Sequence, residues 1–138
     1  MATTTSLSVV ATTETMMSPD LAGRVSYQGM AADRGHPDLA PRLDALHPAV
    51  LRLISFVCDA AARERKPVAV CGGLASDASA AALLVGLGVS ELSAVPAMIP
   101  RLKALVKART LDECRGLAQR ALALENAAAV RALAGEPS

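Results

Sequence analysis

The sequence predicts an α/β fold organised on a parallel sheet. Two short strand-like runs, at 68–70 and 91–95, sit between segments whose apolar residues recur every three or four positions. That alternation is what parallel strands joined by helical crossovers produce. The composition agrees with one domain. The 138 residues are 52% hydrophobic but include a single Tyr, a single Phe and no Trp, so the core has to be built from Ala, Leu and Val.

The elements follow in order. Residues 1–23 are rich in Thr and Ser and hold one β-prone run, 6–11. Its alternation is imperfect, so this N-terminal segment reads as a weak strand or as disordered. Residues 24–45 carry Gly29, Gly35, Pro37 and Pro41 and read as loop. The domain proper is expected over 24–138. Pro48 suits the first position of a helix, and Val50, Ile54, Val57 and Ala61 then share one face. Arg63, Glu64, Arg65 and Lys66 close this helix before Pro67. The run at 68–70 ends at Cys71-Gly72-Gly73 and reads as a buried parallel strand. Ser76 or Asp77 caps the next helix, which runs through Ala80, Leu83, Leu84 and Leu87 to Gly88. After the strand at 91–95, residues 96–109 form an amphipathic helix. Met98, Leu102, Leu105 and Val106 face inward, and Arg101, Lys103, Lys107 and Arg109 face water. One long final helix carries the stripe Leu111, Cys114, Leu117, Ala121, Leu124 and Ala128.

Several function classes are excluded at this level. Charged residues make up 20% of the chain and the net charge is +1, so no global field draws nucleic acid or acidic membranes. Base-stacking readers need aromatic platforms that the composition lacks. Cys58, Cys71 and Cys114 are widely spaced, with no CxxC pair, which indicates neither a zinc site nor a disulfide framework. Free thiols suit a reducing cytoplasm. The apolar run 80–89 is about half of the ~20 residues that a bilayer span needs, and no basic start marks a signal peptide. A cytoplasmic protein is expected, with no membrane and no nucleic-acid partner.

Four motifs carry a resemblance: Asp33-Arg34-Gly35, HPAVLRLI from His47, CGGLASD from Cys71, and IPRLKAL from Ile99. Together they resemble the C-terminal part of Enzyme I of the bacterial sugar phosphotransferase system, a phosphoenolpyruvate-protein phosphotransferase among the PEP-utilising enzymes. The resemblance runs from about Ala31 to the last helix. It implies a partial (βα)8 TIM-type barrel, comprising about the last three βα units plus a C-terminal helix. A complete barrel takes about 250 residues, and the family's phosphohistidine domain has no counterpart here.

The resemblance also implies roles for residues. Cys71 matches the family's acid/base at the methylene carbon of enolpyruvate, and a thiol's ordinary titration range suits proton donation near neutrality. Gly72 and Gly73 allow close backbone approach to a ligand. Arg34 matches the arginine that binds the phosphate of phosphoenolpyruvate through planar, bidentate contact. The family holds Mg²⁺ with an Asp at the end of the preceding strand. Asp20 is the nearest candidate for that position. It fits only with inserted residues, because ungapped alignment places Gly23 and Arg24 there. From spacing alone, Cys71 also reads as a buried inert cysteine and Arg34 as a solvated loop residue. Cys58 and Cys114 read as core. His36 and His47 read as surface or capping residues.

The function implied is the PEP-binding part of phosphoryl transfer from phosphoenolpyruvate to a protein histidine, and onward to a histidine-containing phosphocarrier protein. One arginine does not gather the charge that such transfer needs, so the chain by itself is expected to be inactive. The alternative is a non-catalytic dimerisation or binding module, or a degenerate fragment. A homo-oligomer is expected because a partial barrel leaves apolar surface uncovered.

Overall fold

The structure, a computed structural model, describes the backbone of residues 8–11 and all of residues 44–135. Strand β1 (Ser8–Ala11) comes first. Helix α1 (Pro48–Arg63) starts where His47 caps it, the ring Nδ1 accepting from the Ala49 N–H at 3.2 Å, with Pro48 in the first turn. It buries Leu51 and Cys58 and half-buries Ile54 and Ala61. Val57, expected inward, is exposed. The buried row runs 51, 54, 58, 61, sharing 54 and 61 with the expected one but taking 51 and 58 in place of 50 and 57, and Leu53, Phe56 and Val57 form an apolar strip on the outside. The helix ends at Arg63, before the expected Lys66. The Arg65 N–H donates to the Ala62 carbonyl at 3.1 Å and the Lys66 N–H to the Ala61 carbonyl at 2.9 Å. This closure requires Arg65 in the left-handed region, at φ 52°.

Strands β2 (Ala69–Cys71) and β3 (Glu91–Ala94) are adjacent and parallel, as the two runs predict. β1 pairs parallel with the other side of β3, giving a three-stranded sheet in the order β1-β3-β2. The strand limits move by one residue. Cys71 belongs to β2, and Val95 lies beyond β3, exposed.

The helix expected after Ser76 or Asp77 is α3 (Ala81–Gly86), and a further short helix, α2 (Gly73–Ser76), precedes the cap. Asp77 separates the two. Its backbone is extended (φ −78°, ψ 118°), its Oδ1 accepts from the Ser79 N–H at 2.9 Å and its carbonyl from the Ala80 N–H at 3.0 Å, a capping geometry that leads through one turn into α3. A 3₁₀ turn at Pro96–Met98 leads into α4 (Ile99–Lys107). Leu102 is fully buried, with Met98 and Val106 half-buried one turn to either side. Leu105 lies off this row and is exposed, contrary to expectation.

The long final helix is two, α5 (Leu111–Leu122) and α6 (Ala127–Gly135). Thr110 and Glu113 form a reciprocal capping box at the start of α5, worth about 1 kcal/mol. Asn126 begins α6 by accepting from the Ala129 N–H at 2.9 Å. The stripe therefore restarts at Ala127 and Val130, and Ala128 is exposed. The core is aliphatic as the composition requires, with Leu46, Leu51, Leu83, Leu84, Leu92, Leu102 and Val130 fully buried. Helices α3 and α5 make the most extensive packing, crossing where Gly86 meets the backbone of Cys114.

Candidate functional site

Cys71 ends β2 with its side chain exposed. Gly72 follows at φ 83°, ψ −156°, a backbone region essentially closed to residues with a Cβ. A Cβ there would meet no neighbour within 4 Å, so conformation rather than space demands the glycine. The chain then turns into α2. The Gly72 carbonyl accepts from the Ser76 N–H at 3.3 Å. Ser76 Oγ accepts from the Val95 N–H at 3.1 Å, tying the 71–77 strap to the end of β3. Helix α2 packs on both β2 and β3.

Register sets what shares a face with Cys71. Partnered residues in a parallel ladder point the same way, and successive residues along a strand point oppositely. Val70 pairs with Leu92, and Cys71 with Ser93. Leu92 and Ser93 are both buried, so β3 is covered on both faces, whereas on β2 Ala69 and Cys71 are exposed and Val70 is half-buried. Ser93 stands beside Cys71 on the other face, only 8% exposed. Its Oγ is buried without a hydrogen-bond partner.

The far end of the strap is fixed by charge. Arg131 on α6 donates from Nη1 to Asp77 Oδ2 at 2.9 Å. It also binds Asp44 bidentately, Nε to Oδ2 at 2.7 Å and Nη2 to Oδ1 at 2.8 Å. Asp44 Oδ1 also accepts from the Leu46 N–H at 2.9 Å. The guanidinium holds the Asp44 carboxyl below the usual carboxylate range, against a smaller opposing effect of burial. The same two carboxylates push Arg131 further up. One side chain thus joins the entrance to α1, the end of the strap and the last helix.

Cys71 and Gly72 therefore stand together at the C-terminal end of β2. Arg34, Asp20 and His36 lie outside the described residues. His47 is a helix cap. Cys58 and Cys114 are core residues, as expected, and burial pushes the Cys58 thiol up to about 11, with Asp59 adding to it. Burial raises Cys114 as well. Among the described residues, no three His, Cys, Asp or Glu side chains gather to hold a metal ion. No helix among them is long and apolar enough to cross a membrane. Sequence reasoning missed Ser93 and Arg131. A register across strands and an ion pair between distant segments leave no local signal.

Comparison with known proteins gives a consistent picture. Residues 25–111 match the family described as PEP-utilising enzyme, PEP-binding domain. The chain is similar to a multiphosphoryl transfer protein of Xanthomonas campestris pv. campestris, 50% identical over 104 residues, covering 75% of this chain and 12% of that protein. It is 45% identical over 128 residues to a multiphosphoryl transfer protein of Rhodobacter capsulatus, covering 86% and 16%. It is also 36% identical over 107 residues to a phosphoenolpyruvate-protein phosphotransferase of Haemophilus influenzae, covering 78% and 19%. The aligned part thus spans less than a fifth of each of these relatives.

Proposed function

Since the chain belongs to the PEP-utilising enzymes, matching their PEP-binding domain, we propose that it forms the enolpyruvate end of a phosphoenolpyruvate site of the Enzyme I type. In this reading residues 24–138 form the PEP-binding domain behind an N-terminal segment, 1–23, and the α/β sheet is a sector of a (βα)8 barrel. The observation that carries the proposal is the exposed Cys71 thiol at the C-terminal end of a parallel strand, followed by a glycine in a glycine-only conformation. In barrels of this kind the chemistry sits at the C-terminal strand ends.

The roles are these. Arg34 pairs with the phosphate, and the Gly72 backbone lies against the ligand. When the phosphoryl group leaves, the enol oxygen's electrons form the ketone, and C3 takes the proton from Cys71. Pyruvate forms and the sulfur keeps the pair as a thiolate. The phosphoryl acceptor is a protein histidine, and a histidine-containing phosphocarrier protein is the onward partner in sugar transport, in the cytoplasm. Mg²⁺ belongs to this chemistry in the family. The described residues offer it no donor cluster; Asp20 is the candidate nearest the family's position, and no step is routed through the metal. Arg34 and Cys71 by themselves bind phosphoenolpyruvate weakly and do not complete the transfer.

The test is titration of the chain with phosphoenolpyruvate, followed by NMR. Shifts confined to residues 34–36 and 71–75 that vanish in Arg34→Ala are expected. No shifts at millimolar ligand would overturn the proposal. One observation favours a second reading, a homo-oligomeric assembly module. Leu53, Phe56 and Val57 form an apolar strip on α1, with Phe56 72% exposed. A sedimentation coefficient that stays monomeric at high concentration would remove that reading.

A further inference from the structure

Ser93 carries a buried hydroxyl with no hydrogen-bond partner among the described residues. It is 8% exposed, on the central strand. Burying a hydroxyl unpaired is unfavourable, so stability alone would put Ala there. The neighbour across the ladder is Cys71. Adjacent strands lie about 4.8 Å apart and in-register side chains share a face, so Ser93 and Cys71 stand side by side at the C-terminal end of the sheet, with the hydroxyl not yet bonded to the neutral thiol. A serine hydroxyl turns freely about its own bonds and can donate to whichever acceptor appears beside it.

We propose that Ser93 is a positioning residue for Cys71, its hydroxyl donating a hydrogen bond to the sulfur when the thiol is ionised. The proton of the thiol leaves, the sulfur keeps the electron pair, and Ser93 Oγ–H turns to that charge. No proton passes from Ser93. Other charge near this face is sparse among the described residues. β3 contributes Glu91, two residues before Ser93, and α2 is followed by Asp77, which shares Arg131 with Asp44. In the setting proposed above, with Cys71 as proton donor to enolpyruvate, the hydroxyl supports the thiolate left after donation. The inference rests on that reading only for its purpose. Its test needs no phosphoenolpyruvate, so failure of the two is distinguishable.

The experiment follows alkylation of Cys71 by iodoacetamide across the neutral to alkaline range, with peptide mapping to separate it from buried Cys58 and Cys114. Wild type, Ser93→Ala and Ser93→Thr are compared, each with a urea unfolding curve. A hydrogen bond to a charged group is worth about tenfold in thiolate fraction. The less stabilised thiolate recovers roughly threefold in nucleophilicity. Ser93→Ala should therefore react about threefold more slowly at neutral pH, with its pH profile displaced upward and its urea midpoint equal to or above that of wild type. Ser93→Thr should restore the profile. An unchanged profile in folded Ser93→Ala overturns the proposal. So does a Ser93→Ala chain that fails to fold, because the hydroxyl would then be structural.

Discussion

The crossing of α3 and α5 at Gly86 makes a sharp prediction. A Cβ on Gly86 would overlap the Cys114 carbonyl oxygen, with the Cys114 carbonyl carbon 2.5 Å away and the Ala118 Cβ 2.9 Å away. None of these atoms is the tip of a flexible side chain, so α5 itself has to move. Overpacking of this kind costs about 1–3 kcal/mol, and a displaced backbone belongs at the upper end. Replacing Gly by Ala in a helix gains back at most ~1 kcal/mol. Gly86→Ala should therefore destabilise by about 2 kcal/mol, lowering Tm by roughly 6–10 °C for a chain of this size. Gly116, on the outer side of α5, is the internal control, because a Cβ there meets nothing within 4 Å. Gly116→Ala should stabilise by about 0.5–1 kcal/mol. Urea unfolding followed by far-UV circular dichroism measures both. If the two variants shift in the same direction by similar amounts, close backbone contact between α3 and α5 is refuted.

Two further outcomes follow from the caps and charges. Arg65 adopts a left-handed conformation that glycine takes without strain, so Arg65→Gly should raise stability by about 0.5–1 kcal/mol in the same urea assay. The Asp44 carboxyl is held low in the folded state. The stability it adds is complete above the ordinary carboxylate range and drains away as pH falls through the lowered value. The gap in urea midpoint between wild type and Asp44→Asn should be widest at neutral pH and close toward acid. A gap that is constant with pH would contradict the Arg131 pairing.

How far the sequence could be read depends on how local each cause is. The parallel pair β2 and β3 was legible because apolar runs between amphipathic segments have few other solutions. The place of Cys71 at the end of a strand was legible from the apolar run and the two glycines after it, while the role proposed for it rests on family likeness. The cap at Asp77 was legible as well, but the break at Asn126 was not, because its side chain binds Ala129 at a point where the apolar stripe runs on without interruption. Val57 and Leu105 were misplaced for a different reason. On a helix with apolar residues on several sides, the partner rather than the periodicity decides which row is buried. Ser93 needed the ladder register, and Arg131 needed two carboxylates brought from distant segments. Arg34 and Asp20 lie outside the described residues, so the phosphate end of the site rests on family likeness.

The sheet order also has a consequence in time. Among the described residues β1 and β2 each pair with β3 alone, so neither strand has a partner until the centre of the sheet exists. Ser8 is made long before Glu91, its partner in the ladder. At about 5–20 residues per second of synthesis, β1 waits roughly 4–17 s for β3 to be made. Closing so long a loop adds little to the equilibrium cost, since each doubling of length costs only about 0.6 kcal/mol. The burden falls on the order of events. The nascent chain has to keep 8–11 unpaired in solution while α1, β2 and α3 are made, and only the arrival of 91–94 lets both outer strands dock at once.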